Sequence, residues 1–208
     1  MTHAMISDRR AGDVTLRPAR ISDTADIARL FLISSDGLAA YIWSRFARRG
    51  QNLEEVGAAR YARQGTAFSY ENCDLAVIGQ TTVGMAHAFP MPPRAAGETD
   101  DDPVLAPYAE LEDSGSLYLS GLAVDEERRG QGIGAALLDR VEGRAAALRC
   151  PRVSLICFDR NHRAMTFYRR RGYREIARRP LVPHPALRYR DGDAVLLGLA
   201  VRGELKCA

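Results

Sequence analysis

Lysine is almost absent from this sequence of 208 residues: Lys206 is the only one, and arginine carries nearly all of the positive charge. The formal net charge is only +3, so the chain lacks the overall basic excess that is typical of nucleic-acid-binding proteins. No uncharged run reaches the roughly 20 residues that a membrane-spanning helix needs, and the N-terminus lacks the apolar segment of a signal peptide. We therefore expect a cytoplasmic protein that binds neither nucleic acid nor membrane.

The four cysteines form no C-x-x-C pair, and their spacing indicates neither a zinc site nor a disulfide framework. Cys150 and Cys157 flank or lie in an apolar strand, so we expect buried thiols and no metal. With 46% hydrophobic and 26% charged residues, the composition is that of a globular protein. A chain of this length most simply forms one domain. We place it at residues 13–203, between a disordered lead-in at 1–12 and a tail at 204–208.

The most informative stretch has the pattern of a strand, a glycine-rich turn and a helix. Leu117–Val124 is apolar, and glycines then recur at every second position from Gly130 to Gly134. A glycine-rich turn that opens a helix presents unpaired N–H groups at the positive end of the helix dipole. Because Arg128 and Arg129 stand just before it, we interpret the turn as a pyrophosphate site. The apolar residues behind it recur at helical spacing: Ile133, Leu137, Leu138, Val141, Ala145 and Leu148.

The N-terminal half combines helical and strand patterns. Helices are predicted after Ser22 or Asp23, over Leu38–Arg49 and after Asn52, which can serve as an N-cap. Residues 75–89 have the pattern of a β-hairpin. The second helix carries large side chains that we expect in the core, the alternative being the wall of a substrate pocket: Tyr41, Ile42, Trp43 and Phe46.

Residues 90–113 form a long irregular segment with five prolines, and with seven acidic residues against one base, Arg94. Segments of this length in compact domains are usually functional or disordered. One interpretation is a solvated insertion. The other is an acidic lid, including Asp100, Asp101 and Asp102, that attracts a cationic substrate.

A second pattern follows the glycine-rich unit. Arg152–Phe158 is predicted as a buried strand, and Asp159 or Asn161 as the N-cap of a short helix that ends before Gly172. Strands are then expected over 173–177 and 194–201.

Residues Arg129–Gly134 match the [Q/R]-x-x-G-x-[G/A] signature of the GNAT superfamily of acyl-CoA-dependent N-acyltransferases. About thirty residues later the chain also resembles this family's next motif, with Asn161, then Phe167–Tyr168, then Gly172–Tyr173. The resemblance implies an α+β fold. Its central mixed sheet, mostly antiparallel, is flanked by helices and contains two central strands that splay apart.

The resemblance also implies a site for acetyl-CoA. The turn would hold the pyrophosphate, and the strand from Ser120 to Val124 would pair with the amides of the pantetheine arm. The residues that we assign to the cofactor are Leu122, Ala123, Val124, Arg128, Arg129, Gly130, Gln131, Gly132, Ile133, Gly134, Ala135, Asn161, Phe167 and Tyr168. Asn161 has the alternative role of a helix cap alone.

Acyl transfer to an amine requires a neutral amine, donors for the developing oxyanion and a proton for the leaving thiolate. By resemblance, Tyr168 supplies that proton as general acid, and a backbone N–H near Leu122 or Ala123 faces the oxyanion. An amine like that of lysine has a pKa near 10.4, so a base or a water chain must remove its proton. Some family members use a glutamate on the strand that here carries Tyr118 and Ser120. The base therefore stays unassigned among Glu110, Glu112, His87 and Tyr118.

These patterns predict transfer of an acetyl group from acetyl-CoA to a primary amine in a ternary complex. The acceptor is a small molecule or peptide, and a cationic small molecule if the acidic segment attracts it. A homodimer, common in the family, could form through the final strand or an exposed edge.

Two alternatives come from the same residues. Gly130–Ala135 also fits the G-x-G-x-x-[G/A] fingerprint of dinucleotide-dependent oxidoreductases. However, five charged residues precede the first glycine, and Asp159 lies 29 residues after it, rather than about 20. The second alternative is a non-catalytic module that binds acyl-CoA or nucleic acid. It rests on Arg160–Arg190, which contains ten arginines and one acid, Glu175.

Overall fold

The computed structural model describes residues 14–93 and 101–201. The predicted lead-in at 1–12 and tail at 204–208 lie outside the described residues. Within the described ranges, one sheet contains seven strands: β1 (Val14–Pro18), β2 (Cys73–Ile78), β3 (Thr81–Pro90), β4 (Leu117–Val124), β5 (Arg152–Phe158), β6 (Arg174–Pro180) and β7 (Asp193–Ala200).

Helices cover both faces of this sheet: α1 (Thr24–Ser34), α2 (Leu38–Ser44), α3 (Leu53–Tyr61), α4 (Ala106–Ala109), α5 (Ile133–Ala147) and α6 (His162–Arg170). Side chains alternate between the two faces along a strand, so successive residues of a strand enter different cores. One core lies between the sheet and α5 and α6. The other lies between the sheet and α1, α2 and α3. None of the described helices is both long and apolar enough to span a membrane.

The strand order is β1-β2-β3-β4-β5-β7-β6, and every neighbouring pair is antiparallel except β4 and β5. That parallel pair is short, because only Leu117 and Tyr118 are in register with Val153 and Ser154. Beyond this point the two strands diverge toward their C-terminal ends. The predicted fold class, a mostly antiparallel sheet with splayed central strands, is therefore confirmed.

Helix α5 confirms the predicted apolar face except at its end. Five of the six residues of that face are buried, but Leu148 is 53% exposed. Leu148 is the residue that caps the helix, and the next residue, Arg149, takes a left-handed conformation with φ of 56°. This turn directs the chain away from the core before Leu148 can be covered.

The second predicted helix is shorter than expected. It ends at Ser44 rather than at Arg49, and the chain tightens there, with the N–H groups of Arg45 and Phe46 bonding to carbonyls three residues earlier. Trp43 is buried and packs on Gly57, where any Cβ would overlap the indole ring. Phe46, which we expected in the core, lies beyond the helix and is 64% exposed.

Strand β7 lies between β5 and β6 and pairs with both. The final strand therefore has no free edge for pairing with a second copy of the chain. Among the described strands, the outer positions of the sheet belong to β1 and β6.

Candidate functional site

A cavity of about 1650 Å³ opens where β4 and β5 diverge. Strand β4 contains a bulge at this point, since His87 pairs with Gly121 but Ala88 pairs with Leu119. Ser120 is the extra residue, and bulges of this kind redirect side chains and interrupt strand pairing. Residues Ser120–Val124 line the cavity along the side of β4 that has no strand beside it. An open strand edge of this kind can pair with an extended ligand that carries amides.

The glycine-rich turn directly precedes α5, with Gly132 as the N-cap of the helix. Gly130 and Gly132 have φ values of 79° and 83°, a left-handed conformation that favours glycine. A Cβ at either position would meet no protein atom within 4 Å, so the space above the turn is open to a ligand. Arg129 donates a 3.0 Å hydrogen bond from Nε to the carbonyl of Val124. That bond ties the turn to the end of β4 and supports the predicted anion site.

The structure brings together nearly all of the residues that we assigned to the cofactor. All of them line the cavity except Gln131. The side chain of Gln131 is exposed and approaches the carbonyl of Glu127 at 3.4 Å. Gln131 therefore belongs to the turn by its position in the sequence, but it does not line the cavity.

Asn161 combines two contacts at the start of α6. Its Oδ1 accepts a 3.1 Å hydrogen bond from the N–H of Ala164, which is the predicted helix cap. Its Nδ2 donates a 2.8 Å hydrogen bond to the carboxylate of Asp36, in the turn between α1 and α2. Sequence reasoning missed Asp36, whose only local signal is an Asp-Gly turn pattern.

Asp36 is a buried carboxylate in the cavity wall. Its carbonyl accepts a 2.9 Å hydrogen bond from the N–H of Arg188, and its carboxylate lies 3.6 Å from the Arg188 guanidinium. Burial raises the pKa of Asp36, and the hydrogen bond from Asn161 and the charge of Arg188 oppose that effect. Its φ of 47° is left-handed, a conformation that aspartate tolerates better than most residues. A carboxyl group with a raised pKa in a cavity is typical of functional sites.

The titratable side chains that line the same cavity include Tyr118, Cys157 and Tyr168. Burial raises the pKa of each of them, and that of Cys157 reaches about 12. Tyr168 packs edge-on against Phe167 and Tyr173, with ring centroids 5.2 and 5.6 Å away. Its phenol therefore stays protonated near neutral pH and retains a proton to donate. The Cys157 thiol is a poor nucleophile for the same reason.

His87, one of the four candidate bases, lies in β3, and both of its ring nitrogens have hydrogen-bond partners. Its Nε2 lies 2.9 Å from the carbonyl of Ala67, and its Nδ1 lies 3.1 Å from the hydroxyl of Tyr61. A carbonyl can only accept, so Nε2 carries the proton and Nδ1 accepts from Tyr61. Burial lowers the pKa of His87 to about 4, and His87 is not among the residues that line the cavity.

The other three candidates for the general base differ in whether they line the cavity. Glu112 and Tyr118 line the cavity, whereas Glu110 does not. Glu110 pairs instead with Arg179 on β6, at 2.5 Å. The negative charge of Glu112 contributes to the raised pKa of Tyr118.

The acidic segment is attached to the rest of the protein by its own carboxylates. Asp102 accepts a 2.8 Å hydrogen bond from the hydroxyl of Tyr41 and pairs with Arg45. Asp113 pairs with Arg152 on β5 at 2.7 Å. Asp100 lies outside the described residues. These ion pairs neutralise part of the charge that we expected to attract a cationic acceptor.

The model of the acetyltransferase (GNAT) family matches residues 39–173, about two thirds of the chain. The chain belongs to the GNAT family. GNAT proteins use acetyl-CoA, and the match includes both the glycine-rich turn and α6.

Solved acetyltransferases share the fold at low sequence identity. An acetyltransferase crystal structure has a TM-score of 0.63 at 19% identity and covers 90% of this chain and 100% of that one. The acetyltransferase yncA of Salmonella typhimurium, solved with acetyl-CoA, has a TM-score of 0.58 at 15% identity, with 94% and 98% coverage. The ribosomal-protein-S18-alanine N-acetyltransferase of Escherichia coli has a TM-score of 0.55 at 16% identity, with 94% and 99% coverage.

A curated relative is closer in sequence over a shorter stretch. The uncharacterized protein YdhI of Bacillus subtilis (strain 168) is 33% identical over 86 residues, which is 40% of this chain and 54% of that protein. The chain thus matches about half of the length of this relative.

The GNAT fold disagrees with the first alternative that the sequence left open, a dinucleotide-dependent oxidoreductase. The sheet is mostly antiparallel, whereas dinucleotide enzymes of the fingerprint type have a mostly parallel sheet. In the basic segment, five of the ten arginines form ion pairs with acidic side chains: Arg160, Arg171, Arg178, Arg179 and Arg188. Five arginines of the segment line the cavity: Arg160, Arg163, Arg170, Arg171 and Arg188. The positive charge of the segment is thus divided between ion pairs and the cavity wall.

Proposed function

We propose that this GNAT protein is an N-acetyltransferase that transfers an acetyl group from acetyl-CoA to a primary amine in a direct ternary complex. The observation that carries the proposal is the single cavity between β4 and β5. It is lined by the glycine-rich turn, by the open side of β4 and by Tyr168 together. An anion site, a strand edge and a proton donor within one cavity match the three parts of the donor molecule.

The residues that would hold coenzyme A are those of the turn and of β4. The N–H groups at the start of α5 and the side chain of Arg128 favour a pyrophosphate. The backbone of Leu122–Val124 offers hydrogen bonds to the amides of the arm. When bound, acetyl-CoA supplies the activated acetyl group as a thioester. The part of the chain that the structure describes contains no cluster of three or more potential metal ligands, and our proposal assigns no step to a metal.

Two side chains of the cavity wall have complementary proton-transfer roles in this proposal. Tyr168, whose phenol stays protonated, donates a proton to the departing sulfur as general acid. Asp36, whose carboxylate is the negative group next to Asn161, accepts the proton of the acceptor ammonium, directly or through one water. The raised pKa of Asp36 brings its basicity closer to the working pH, which favours a general base.

Direct transfer is favoured over an acyl-cysteine route. Cys157 is the described cysteine that lines the cavity, and its raised pKa keeps it a thiol. Its Sγ also lies 3.6 Å from the carbonyl of Phe158.

A thiol-release assay with acetyl-CoA tests the proposal. The acceptor panel contains amino acids, peptides, polyamines and aminoglycosides, and turnover is confirmed by mass spectrometry of the acetylated product. Initial-velocity lines that intersect indicate the ternary complex, and Cys157→Ala should keep this pattern. Parallel lines would indicate an acyl-enzyme instead. The proposal fails if the protein binds acetyl-CoA and no amine of the panel releases thiol above the hydrolysis rate.

A further inference from the structure

Arg60, on α3, lines the same cavity as Tyr168 and Asp36. The proposed transfer of the acetyl group gives Arg60 no role. Its side chain is half-buried, and its Nε is fully buried without a hydrogen-bond partner. A buried donor without a partner costs free energy, and more so in a charged group. Because the protein encloses Nε but not the terminal nitrogens, a ligand in the cavity would contact Arg60 through those terminal nitrogens.

The guanidinium of Arg60 also lacks a counter-ion within the described residues. No ion pair of 4.0 Å or less links it to a carboxylate there, whereas twelve other described arginines have such a partner, for example Arg140 with Asp74 at 2.7 Å. Burial lowers the pKa of Arg60, and the positive charge of Arg63 lowers it further. The positive charge of Arg60 is thus partly removed from water and is repelled by the charge of Arg63.

An aromatic wall supports the guanidinium on one side. Arg60 lies over the ring of Phe68, 4.8 Å from its centroid, and such cation–π contacts are worth about 0.5–2 kcal/mol. Phe68 packs in turn against Phe31, and Phe31 stacks on Trp43. All four side chains line the cavity. A guanidinium that stacks by its face keeps its N–H groups at the edge, where a planar anion can accept two hydrogen bonds.

We propose that the amine acceptor carries a carboxylate, and that Arg60 binds this carboxylate in the cavity. This inference rests on the proposed acetyltransferase function and names the class of its acceptor: amino acids, or small molecules that combine an amine with a carboxylate. A single guanidinium matches the single charge of a carboxylate. A phosphate dianion would leave one negative charge uncompensated.

The same assignment changes what the acidic segment implies. Asp102 and Asp113 are engaged by Arg45 and Arg152, so they give little support to a polycationic acceptor. The cavity wall contains further charged side chains, among them Glu112 and the arginines of the glycine-rich turn and of α6. Within α1 to α3 and the turns between them, the charged residues that line the cavity are Asp36 and Arg60, one negative and one positive. That pair of charges suits an acceptor with an ammonium and a carboxylate better than a polyamine.

The test compares matched acceptors, namely amino acids and the corresponding amino-acid amides, in the thiol-release assay. For the wild type we expect kcat/KM to be higher for the carboxylates by about tenfold or more, since charged hydrogen bonds contribute about 1.5–3 kcal/mol. Arg60→Gln should remove this preference, mainly by raising KM. Arg60→Lys should restore part of it, because it keeps the charge and loses the two-pronged geometry. Arg63→Gln is the matched control, since Arg63 is exposed and is not among the cavity residues.

Calorimetry with N-acetyl amino acids and their amides, in the presence of coenzyme A, gives a second measurement that does not need turnover. We expect the carboxylates to bind more tightly, and Arg60→Gln to lose the difference without a change in coenzyme A affinity. Acetylation of carboxylates and amides at equal efficiency would overturn the inference and leave the proposed function standing. If no amine is acetylated, the proposed function fails, and equal calorimetric affinities would then overturn the inference as well.

Discussion

The side-chain amide of Asn161 donates a 2.8 Å hydrogen bond to the carboxylate of Asp36, across 125 residues of sequence. This contact connects the start of α6, which belongs to the cofactor motif, to the turn between α1 and α2. Burial raises the pKa values of Cys157, Tyr108 and Tyr189, and the negative charge of the same carboxylate raises them further. Asp36 is therefore the negative centre of a group of titratable side chains drawn from four parts of the chain.

Asp36→Asn should remove the proposed base and keep the hydrogen-bond acceptor at this position. Asparagine can still accept the bond from Asn161, but it cannot take a proton. We expect kcat to fall on the order of 10²-fold, a typical contribution of general base catalysis. Asp191→Asn is the control, because Asp191 is exposed and is not among the residues that line the cavity.

The pH dependence of kcat/KM, compared between the wild type and Asp36→Asn, tests the same role of Asp36. In the wild type, kcat/KM should fall as the pH is lowered through the pKa of Asp36, which lies above the usual 3.8 of aspartate. Below that pKa the carboxyl is protonated and cannot accept a proton. Asp36→Asn should lose this limb, so that its rate follows the neutral fraction of the acceptor amine alone. An unchanged limb in the variant would rule out Asp36 as the base.

Tyr168→Phe tests the proposed general acid. Removal of the hydroxyl leaves the ring packing on Phe167 and Tyr173 intact. We expect kcat to fall on the order of 10²-fold, with little change in the affinity for acetyl-CoA. The control is Tyr173→Phe. Tyr173 is the tyrosine that packs against Tyr168, but its hydroxyl bonds to Glu142 at 3.3 Å and it does not line the cavity. Steady-state kinetics and calorimetry distinguish the two effects, and wild-type turnover in Tyr168→Phe would exclude the phenol as the acid.

Gly132→Asp should weaken acetyl-CoA binding by about tenfold or more, since it adds a negative charge where charge-assisted hydrogen bonds are expected. Aspartate tolerates the left-handed φ of 83° at this N-cap better than most residues, so the helix should persist. Gly143→Ala is the control on the same helix. A Cβ there meets nothing within 4 Å, so the protein should gain about 0.5–1 kcal/mol and keep its affinity. Equal calorimetric affinities of Gly132→Asp and wild type would disprove the pyrophosphate site.

Sequence patterns predicted the parts of the site that depend on local structure. The turn before α5 requires glycine at Gly130 and Gly132, and the cap of α6 requires a side chain such as Asn161, so both are visible in a short window. Asp36 and Arg60 are not visible there, because tertiary packing alone brings them to the cavity. The same holds for Asp102, whose partners Tyr41 and Arg45 are about sixty positions earlier. The pairing of charges depends on the fold, so a count of acidic residues overestimated their role.

His87 is predicted to make the fold sensitive to mild acid. Its pKa is about 4 in the folded protein against an ordinary 6.5, so below pH 6.5 the unfolded chain binds more protons. The free energy of unfolding should therefore rise with pH between about 4 and 6.5. Between pH 5 and pH 7.5 the gain from His87 is about 2 kcal/mol, because the unfolded histidine loses its proton over this range.

Denaturant unfolding of the wild type and of His87→Gln at several pH values isolates this contribution. Glutamine can donate to the carbonyl of Ala67 and accept from Tyr61, the two contacts that His87 makes, but it does not titrate. The difference in unfolding free energy between the two proteins should change by about 2 kcal/mol from pH 5 to pH 7.5 and level off above that pH. Carboxylates titrate in both proteins, so their effects cancel in this difference. A difference in unfolding free energy that stays constant over the whole range would contradict this prediction. It would mean that His87 has the same pKa in the folded and the unfolded protein.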